Sequence, residues 1–125
     1  MKEQRKVVDV ETKPQKSRRF VFVLLDKFSM LCFASALESL RIANRMAGQE
    51  LYSWRLIGEG GETMTCSAGT SFQLEGDLDE LNRDDTVLIC GGIDVQAATT
   101  KRLLGWARRE ARKGLLVGGL CKMNC

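Results

Sequence analysis

The chain of 125 residues contains no histidine and a single proline, Pro14. Without histidine, a cysteine nucleophile has no imidazole base in the same chain, and zinc loses its usual nitrogen ligand. The longest apolar run, residues 20–25, is far shorter than the ~20 residues that span a bilayer. The basic N-terminus is not followed by the apolar core of a secretory signal. We therefore expect a cytoplasmic protein with no membrane segment, metal or cofactor.

The five cysteines do not form a recognisable framework. No CxxC pair occurs, and the spacing does not indicate a set of disulfides. Cys121 and Cys125 are four residues apart, but the lack of histidine argues against a zinc site. A chain with no export signal is expected to keep its cysteines as thiols in a reducing compartment.

The positive charge is concentrated at the N-terminus. The whole chain carries +3, but seven basic and three acidic side chains give residues 1–19 a charge of +4, so the other 106 residues sum to −1. We interpret residues 1–17 as a disordered basic leader and residues 18–125 as the folded part. Contact between the leader and nucleic acid is the less favoured alternative.

The folded part alternates apolar runs with amphipathic segments. The pattern predicts strands at 20–25, 52–58, 86–90 and 115–120, helices at 30–47 and 95–113, a small hairpin within 64–74 and a helical turn at 77–81. Ser29 is the expected N-cap of the first helix, and Gly48 its C-terminal glycine. This alternation is typical of an α/β fold with a parallel sheet.

Four residues follow the carboxyl ends of the predicted strands. Ligands of open α/β sheets bind at that edge, which makes Asp26, Gly91, Gly92 and Cys121 the candidate ligand-binding residues. Gly91 and Gly92 could bring backbone N–H groups to an anion, or could simply form a tight turn. Cys121 has the position of a thiol at a strand–helix elbow, but an ordinary buried cysteine is an equal alternative.

Two further features have a simpler structural interpretation. The helix predicted at 95–113 is strongly basic, as a DNA recognition helix would be, but a solvated helix between two strands is favoured. Tyr52 and Trp54 could form an aromatic wall for a cationic ligand, although strand aromatics more often belong to the core.

Taken together, these segments resemble the PfpI-like sensor domain of GlxA-type AraC-family transcriptional regulators. The resemblance covers residues 18–121 and rests on 20–25, 28–31, 38–45, 52–56, 87–92 and 118–121 in this order. It implies a class I glutamine-amidotransferase-like, flavodoxin-like three-layer sandwich with a mostly parallel sheet, incomplete at the C-terminus. It also implies a small-molecule metabolite of amino-acid or quaternary-ammonium type, a homodimer in the full-length protein, and DNA binding through a C-terminal region that is missing here.

The departures from the family bear on catalysis. In hydrolytic relatives an acidic residue lies beside the elbow thiol that Cys121 matches, whereas the corresponding position here is Cys32. The similarity ends abruptly after Cys121, which predicts a truncated reading frame or a fragment. We expect the N-terminal, ligand-sensing part of a regulator with no enzymatic activity; a fragment of a PfpI-like cysteine hydrolase or amidase is the alternative. An incomplete sheet would leave apolar surface exposed, so residues 1–125 alone are expected to aggregate or to need a partner.

Overall fold

The computed structural model describes residues 17–120. The predicted basic leader, apart from Ser17, and Cys121 lie outside the described residues. The elements are β1 (Arg18–Leu24), α1 (Met30–Ala47), β2 (Tyr52–Ile57), β3 (Thr63–Thr65), β4 (Ser71–Gln73), β5 (Thr86–Cys90), α2 (Val95–Ala98), α3 (Lys101–Ala111) and β6 (Leu116–Leu120).

Four of the strands form one parallel sheet in the order β2-β1-β5-β6. Strands β3 and β4 pair separately as an antiparallel hairpin, as predicted. Strand β1 lies inside the sheet, and its apolar residues are buried on both faces. The parallel α/β architecture expected from the sequence is therefore confirmed.

Two apolar clusters fill the space on the two faces of the sheet, which gives three layers. The first lies under α1 and the hairpin and consists of Phe22, Leu24, Phe28, Phe33, Cys66, Leu74 and Cys90. The second lies under α3 and consists of Val21, Val23, Leu25, Ile57, Leu78, Leu81, Val87, Leu103, Trp106 and Leu115. Alternate residues of β1 contribute to the two clusters because successive side chains of a strand point to opposite faces.

Helix α1 begins and ends at the residues that the sequence predicts. The Ser29 hydroxyl accepts a hydrogen bond from the Cys32 N–H at 3.2 Å. Gly48 adopts a left-handed conformation (φ 70°), and its N–H contacts the carbonyls of Asn44 and Arg45. Both termini of the helix are thus satisfied locally, while Phe33 is buried against the sheet.

The prediction of a single helix at 95–113 is wrong, because the structure has two helices in this segment. The Thr99 hydroxyl donates to the Val95 carbonyl at 2.6 Å, and Thr99 itself is extended (φ −93°, ψ 101°). Thr100 then starts α3 as an N-cap, with its hydroxyl accepting from the Leu103 N–H at 3.0 Å. Two adjacent threonines therefore end one helix and begin the next.

The helical turn predicted at 77–81 is also wrong, since this segment is irregular. Two of its backbone groups bond to side chains of α3. The Asp79 carbonyl accepts from Trp106 Nε1 at 2.8 Å, and the Leu81 N–H donates to the buried Glu110 carboxylate at 3.2 Å. Partners supplied by a distant helix thus replace the intrahelical hydrogen bonds.

A buried ion pair fixes the start of β1 to the turn before β5. The Arg19 guanidinium donates to both oxygens of Asp85, at 3.0 and 2.7 Å, and the Asn82 N–H donates to the same carboxylate at 2.9 Å. Only 2% of the Asp85 side chain is exposed, against 33% for Arg19. The hydrogen bond to Asp85 raises the pKa of Arg19 above its usual value.

None of the helices described between residues 17 and 120 is long and apolar enough to cross a lipid bilayer.

Candidate ligand site at the carboxyl edge of the sheet

The carboxyl ends of β1, β5 and β6 lie side by side. The parallel register pairs Leu24 with Cys90 and Cys90 with Leu120. The residues that follow these strands, Asp26 and Gly91 among them, therefore emerge at one edge of the sheet. This is the edge at which α/β sheets bind ligands.

The turn from β1 to α1 is anchored on both sides. The Leu25 N–H donates to the Cys90 carbonyl at 3.1 Å, and the Lys27 N–H donates to the Thr65 carbonyl at 2.8 Å. The Ser29 N–H completes the connection to β5 through the Gly91 carbonyl at 2.9 Å. Lys27 adopts a left-handed conformation (φ 62°), which is uncommon for a residue with a side chain. This turn therefore has a fixed position between β5 and the hairpin.

The two glycines after β5 allow this close approach. A methyl group on Gly92 would collide with the Lys27 carbonyl, and one on Gly91 would lie 2.7 Å from a methyl of Val95. Both glycines are buried. Backbone packing thus requires a glycine at position 92, whereas Gly91 is confined only by the Val95 side chain.

A small cavity of about 260 Å³ lies beyond the end of β1. Asp26 lines it together with Glu59, which follows β2, and with Thr100 at the start of α3. The remaining wall is mostly apolar and consists of Val23, Leu24, Leu25, Met64, Ala97, Ala98 and Leu103. The cavity thus combines two carboxylates and a hydroxyl with an apolar lining, which is a typical composition for a metabolite site.

Glu59 was not among the predicted site residues, although it is the second carboxylate of the cavity. The Thr100 hydroxyl lies 2.9 and 3.0 Å from its two oxygens. The negative charge of Glu59 therefore lies at the N-terminus of α3, where the helix dipole favours an anion. The signal in the sequence was its position directly after the predicted strand 52–58, at the same sheet edge as Asp26.

The Cys90 thiol at this edge does not have the environment of a nucleophile. Burial raises the pKa of the Cys90 thiol to about 12, with a smaller contribution from Cys32 nearby. Cys32 lies in the first turn of α1 and is partly buried. A raised pKa keeps Cys90 protonated at neutral pH, so this thiol is a poor nucleophile.

The predicted site residues lie in different parts of the structure. Asp26 lines the small cavity, whereas Gly91 lines a separate open groove between α3 and β6. Gly92 lies against the backbone of Lys27. Cys121 lies outside the described residues, so its predicted role stays a prediction.

Other sequence-based interpretations are settled by packing. Tyr52 and Trp54 are half-buried: Trp54 packs on the cluster under α1, and Tyr52 contacts Phe20 edge to face at 5.6 Å. Within residues 17–120, no group of three or more metal-ligating side chains is placed to hold an ion.

Comparison with characterised proteins identifies relatives among transcriptional regulators. No protein-family model matches the chain. The HTH-type transcriptional regulator GbdR of Pseudomonas aeruginosa is 34% identical over 100 residues, which are 80% of this chain and 27% of GbdR. The regulator CdhR of the same species is 36% identical over 104 residues, 83% of this chain and 31% of CdhR. The chain thus spans about 30% of the length of these curated relatives.

Solved structures show the same fold. An AraC family transcriptional regulator from Pseudomonas putida matches with a TM-score of 0.73 at 24% identity, over 82% of this chain and 63% of that one. A ThiJ/PfpI family protein from Pseudomonas syringae matches with a TM-score of 0.62 at 13% identity, over 84% of this chain and 42% of that one. The chain is therefore a homologue of the N-terminal region of HTH-type regulators of the AraC family, with the α/β fold that they share with PfpI proteins.

Proposed function

We propose that this chain is the ligand-sensing N-terminal part of an AraC-family transcriptional regulator and that it catalyses no reaction. The observation that carries the proposal is the 34–36% identity to GbdR and CdhR along four-fifths of the chain. A different region of the longer regulator would bind DNA, and that full-length protein would be a cytoplasmic homodimer. Because the relatives are about three times longer than the matched part, DNA binding is assigned to the whole regulator.

The cavity beyond β1 supports a positively charged ligand. Asp26 and Glu59 place two carboxylates at its wall, and the other lining residues are mostly apolar. Its volume of about 260 Å³ is below the roughly 300–1,000 Å³ of common ligand pockets, which favours a small metabolite. A molecule with an ammonium or trimethylammonium group fits this combination of size, charge and apolar wall. This agrees with the amino-acid or quaternary-ammonium class that the family resemblance implies.

The absence of catalysis is proposed from the chemistry of the chain. The sequence contains no histidine, and the family resemblance implies that Cys32 stands where hydrolytic relatives carry an acid. Cys90, the other thiol near this position, is held protonated by burial. No observation in the described residues favours the hydrolase alternative.

Titration calorimetry with purified chain tests the ligand class. The probes are glycine betaine, carnitine and small amino acids, with 3,3-dimethylbutyrate as a control in which carbon replaces the charged nitrogen of betaine. We expect a probe with an ammonium or trimethylammonium group to bind and the carbon analogue not to bind. Asp26→Asn and Glu59→Gln should each weaken binding by roughly two- to fivefold, the range for a partly exposed ion pair.

Glu38→Gln is the matched control, since Glu38 lies on the exposed face of α1 and pairs with Arg41. It should leave the affinity unchanged. Binding that is insensitive to both Asp26→Asn and Glu59→Gln would place the ligand elsewhere and remove the support for this cavity.

A further inference from the structure

Thr100 makes two hydrogen bonds that connect the small cavity to helix α3. Its hydroxyl lies 2.9 and 3.0 Å from the two carboxylate oxygens of Glu59, and 3.0 Å from the Leu103 backbone nitrogen. An ionised carboxylate only accepts hydrogen bonds, so the hydroxyl donates its proton to Glu59 and accepts from the Leu103 N–H. One hydroxyl therefore serves both the cavity wall and the N-cap of α3.

A second contact with α3 holds the backbone that follows Glu59. The Gly60 N–H donates to Asp77 Oδ1 at 3.2 Å, and the Arg102 guanidinium lies 3.0 Å from the same oxygen. The Leu78 N–H also donates to this oxygen, at 2.6 Å. Arg102 belongs to the first turn of α3. The start of this helix thus supports Glu59 through its side chain and through the next residue of the chain.

The other carboxylate of the cavity has no such support. The Asp26 side chain is exposed and forms no hydrogen bond or ion pair with another residue in the described part of the chain. Glu59, in contrast, is half-buried and held at both carboxylate oxygens. Of the two carboxylates, Glu59 is therefore the one whose side chain is oriented by the protein itself.

We propose that Thr100 is a positioning residue of this cavity: it holds the Glu59 carboxylate for a cationic ligand and couples ligand binding to the start of α3. The inference rests on the proposed function, from which it takes the cationic ligand. A carboxylate accepts about four hydrogen bonds, so one hydroxyl leaves it free to contact a ligand. A side chain that is already oriented loses less conformational entropy on binding, and loss of the hydroxyl should weaken binding.

Calorimetric titration of variants of the 125-residue chain tests the positioning role. The probe is glycine betaine or carnitine, whichever binds the original chain more tightly. Thr100→Val removes the hydroxyl at nearly constant volume and should weaken binding by about two- to fivefold, and by no more than Glu59→Gln. Thr100→Ser keeps a hydroxyl that can form both hydrogen bonds and should have the original affinity.

A double-mutant cycle separates positioning from a general effect on the fold. In Glu59→Gln the charge that Thr100 positions is absent, so adding Thr100→Val should cause no further loss of affinity. Thr99→Val is the matched control, because the Thr99 hydroxyl donates to the Val95 carbonyl and does not line the cavity. This control should leave the affinity unchanged.

Hydrogen exchange measures the reverse effect, from the ligand to the helix. Coupling between two events is reciprocal, so a bound cation should stabilise the cap at Thr100. At saturating probe, exchange of the Leu103 amide should slow by about the factor by which Thr100→Val weakens binding. The Cys32 amide, which Ser29 caps at the start of α1, is the internal reference and should exchange at an unchanged rate.

Two affinity results would overturn the inference while leaving the proposed function intact. Unchanged affinity in Thr100→Val would show that the hydroxyl does not position Glu59, and a loss that persists in Glu59→Gln would show that Thr100 acts through the fold. Unchanged exchange at Leu103 would overturn the coupling to α3. If neither probe binds the original chain, the proposed ligand class fails and this inference fails with it.

Discussion

Replacing Asp85 by alanine tests the ion pair that joins the start of β1 to the turn before β5. The substitution removes two hydrogen bonds from Arg19 and one from the Asn82 N–H. Loss of one partner from a buried ion pair costs about 3–5 kcal/mol. Arg19 is one-third exposed and can recover hydration, so we expect the free energy of unfolding to fall by about 2–3 kcal/mol.

Urea denaturation followed by tryptophan fluorescence measures this loss. With a slope of ~1.5 kcal/mol per molar urea, the midpoint should fall by about 1–2 M. The experiment uses sub-micromolar protein, which limits self-association. Glu38→Ala provides the control, because Glu38 and Arg41 form a similarly short ion pair at half-exposed side chains. Exposed ion pairs contribute little to the free energy of unfolding, so Glu38→Ala should leave the urea midpoint unchanged.

A midpoint for Asp85→Ala within error of the original chain would refute the reasoning. It would mean that water replaces Asp85 as the partner of Arg19 at no net cost. An equally large fall in the urea midpoint of Glu38→Ala would also refute the reasoning. Burial would then not be the factor that distinguishes the two ion pairs.

The remaining predictions concern the residues at the end of β5. Gly92→Ala should destabilise the chain by more than about 3 kcal/mol or prevent folding, since its methyl group would collide with the Lys27 carbonyl. Gly105→Ala is the control: it lies within a helix with open space around it and should be neutral or stabilising in the same urea assay. For Cys90, the native thiol keeps its proton to about pH 12, whereas the unfolded thiol loses it from about pH 9. Stability should therefore fall by about 1.4 kcal/mol per pH unit above pH 9, and this part of the slope should be absent in Cys90→Ala; equal slopes for the two proteins would contradict it.

The elements with local signals could be predicted from the sequence. Helix α1 is the best case: Ser29 and Gly48 mark its termini through contacts with residues within four positions, and the structure confirms both. The apolar strands β1 and β5 and their parallel pairing are confirmed for a similar reason, since a continuous apolar run is typical of a strand inside a parallel sheet.

The elements that depend on distant partners could not be predicted from the sequence. Residues 77–85 carry helix-like polarity but bond to Trp106, Glu110 and Arg19, which lie 27 or more positions away. The interruption between α2 and α3 depends on which group each threonine hydroxyl contacts, and propensity does not determine this. In the site, Asp26 and Glu59 both follow predicted strands, but the contact between Glu59 and Thr100 at the start of α3 depends on the tertiary fold and could not be predicted.

The anchored turn between β1 and α1 has a consequence for binding affinity. Hydrogen bonds at Leu25 and Lys27, the residues on either side of Asp26, hold the backbone before any ligand arrives. Ordering a loop during binding costs conformational entropy, and a segment that is already ordered avoids much of this cost. A ligand at Asp26 would thus meet a backbone that is already ordered, and little affinity would be lost to ordering this turn.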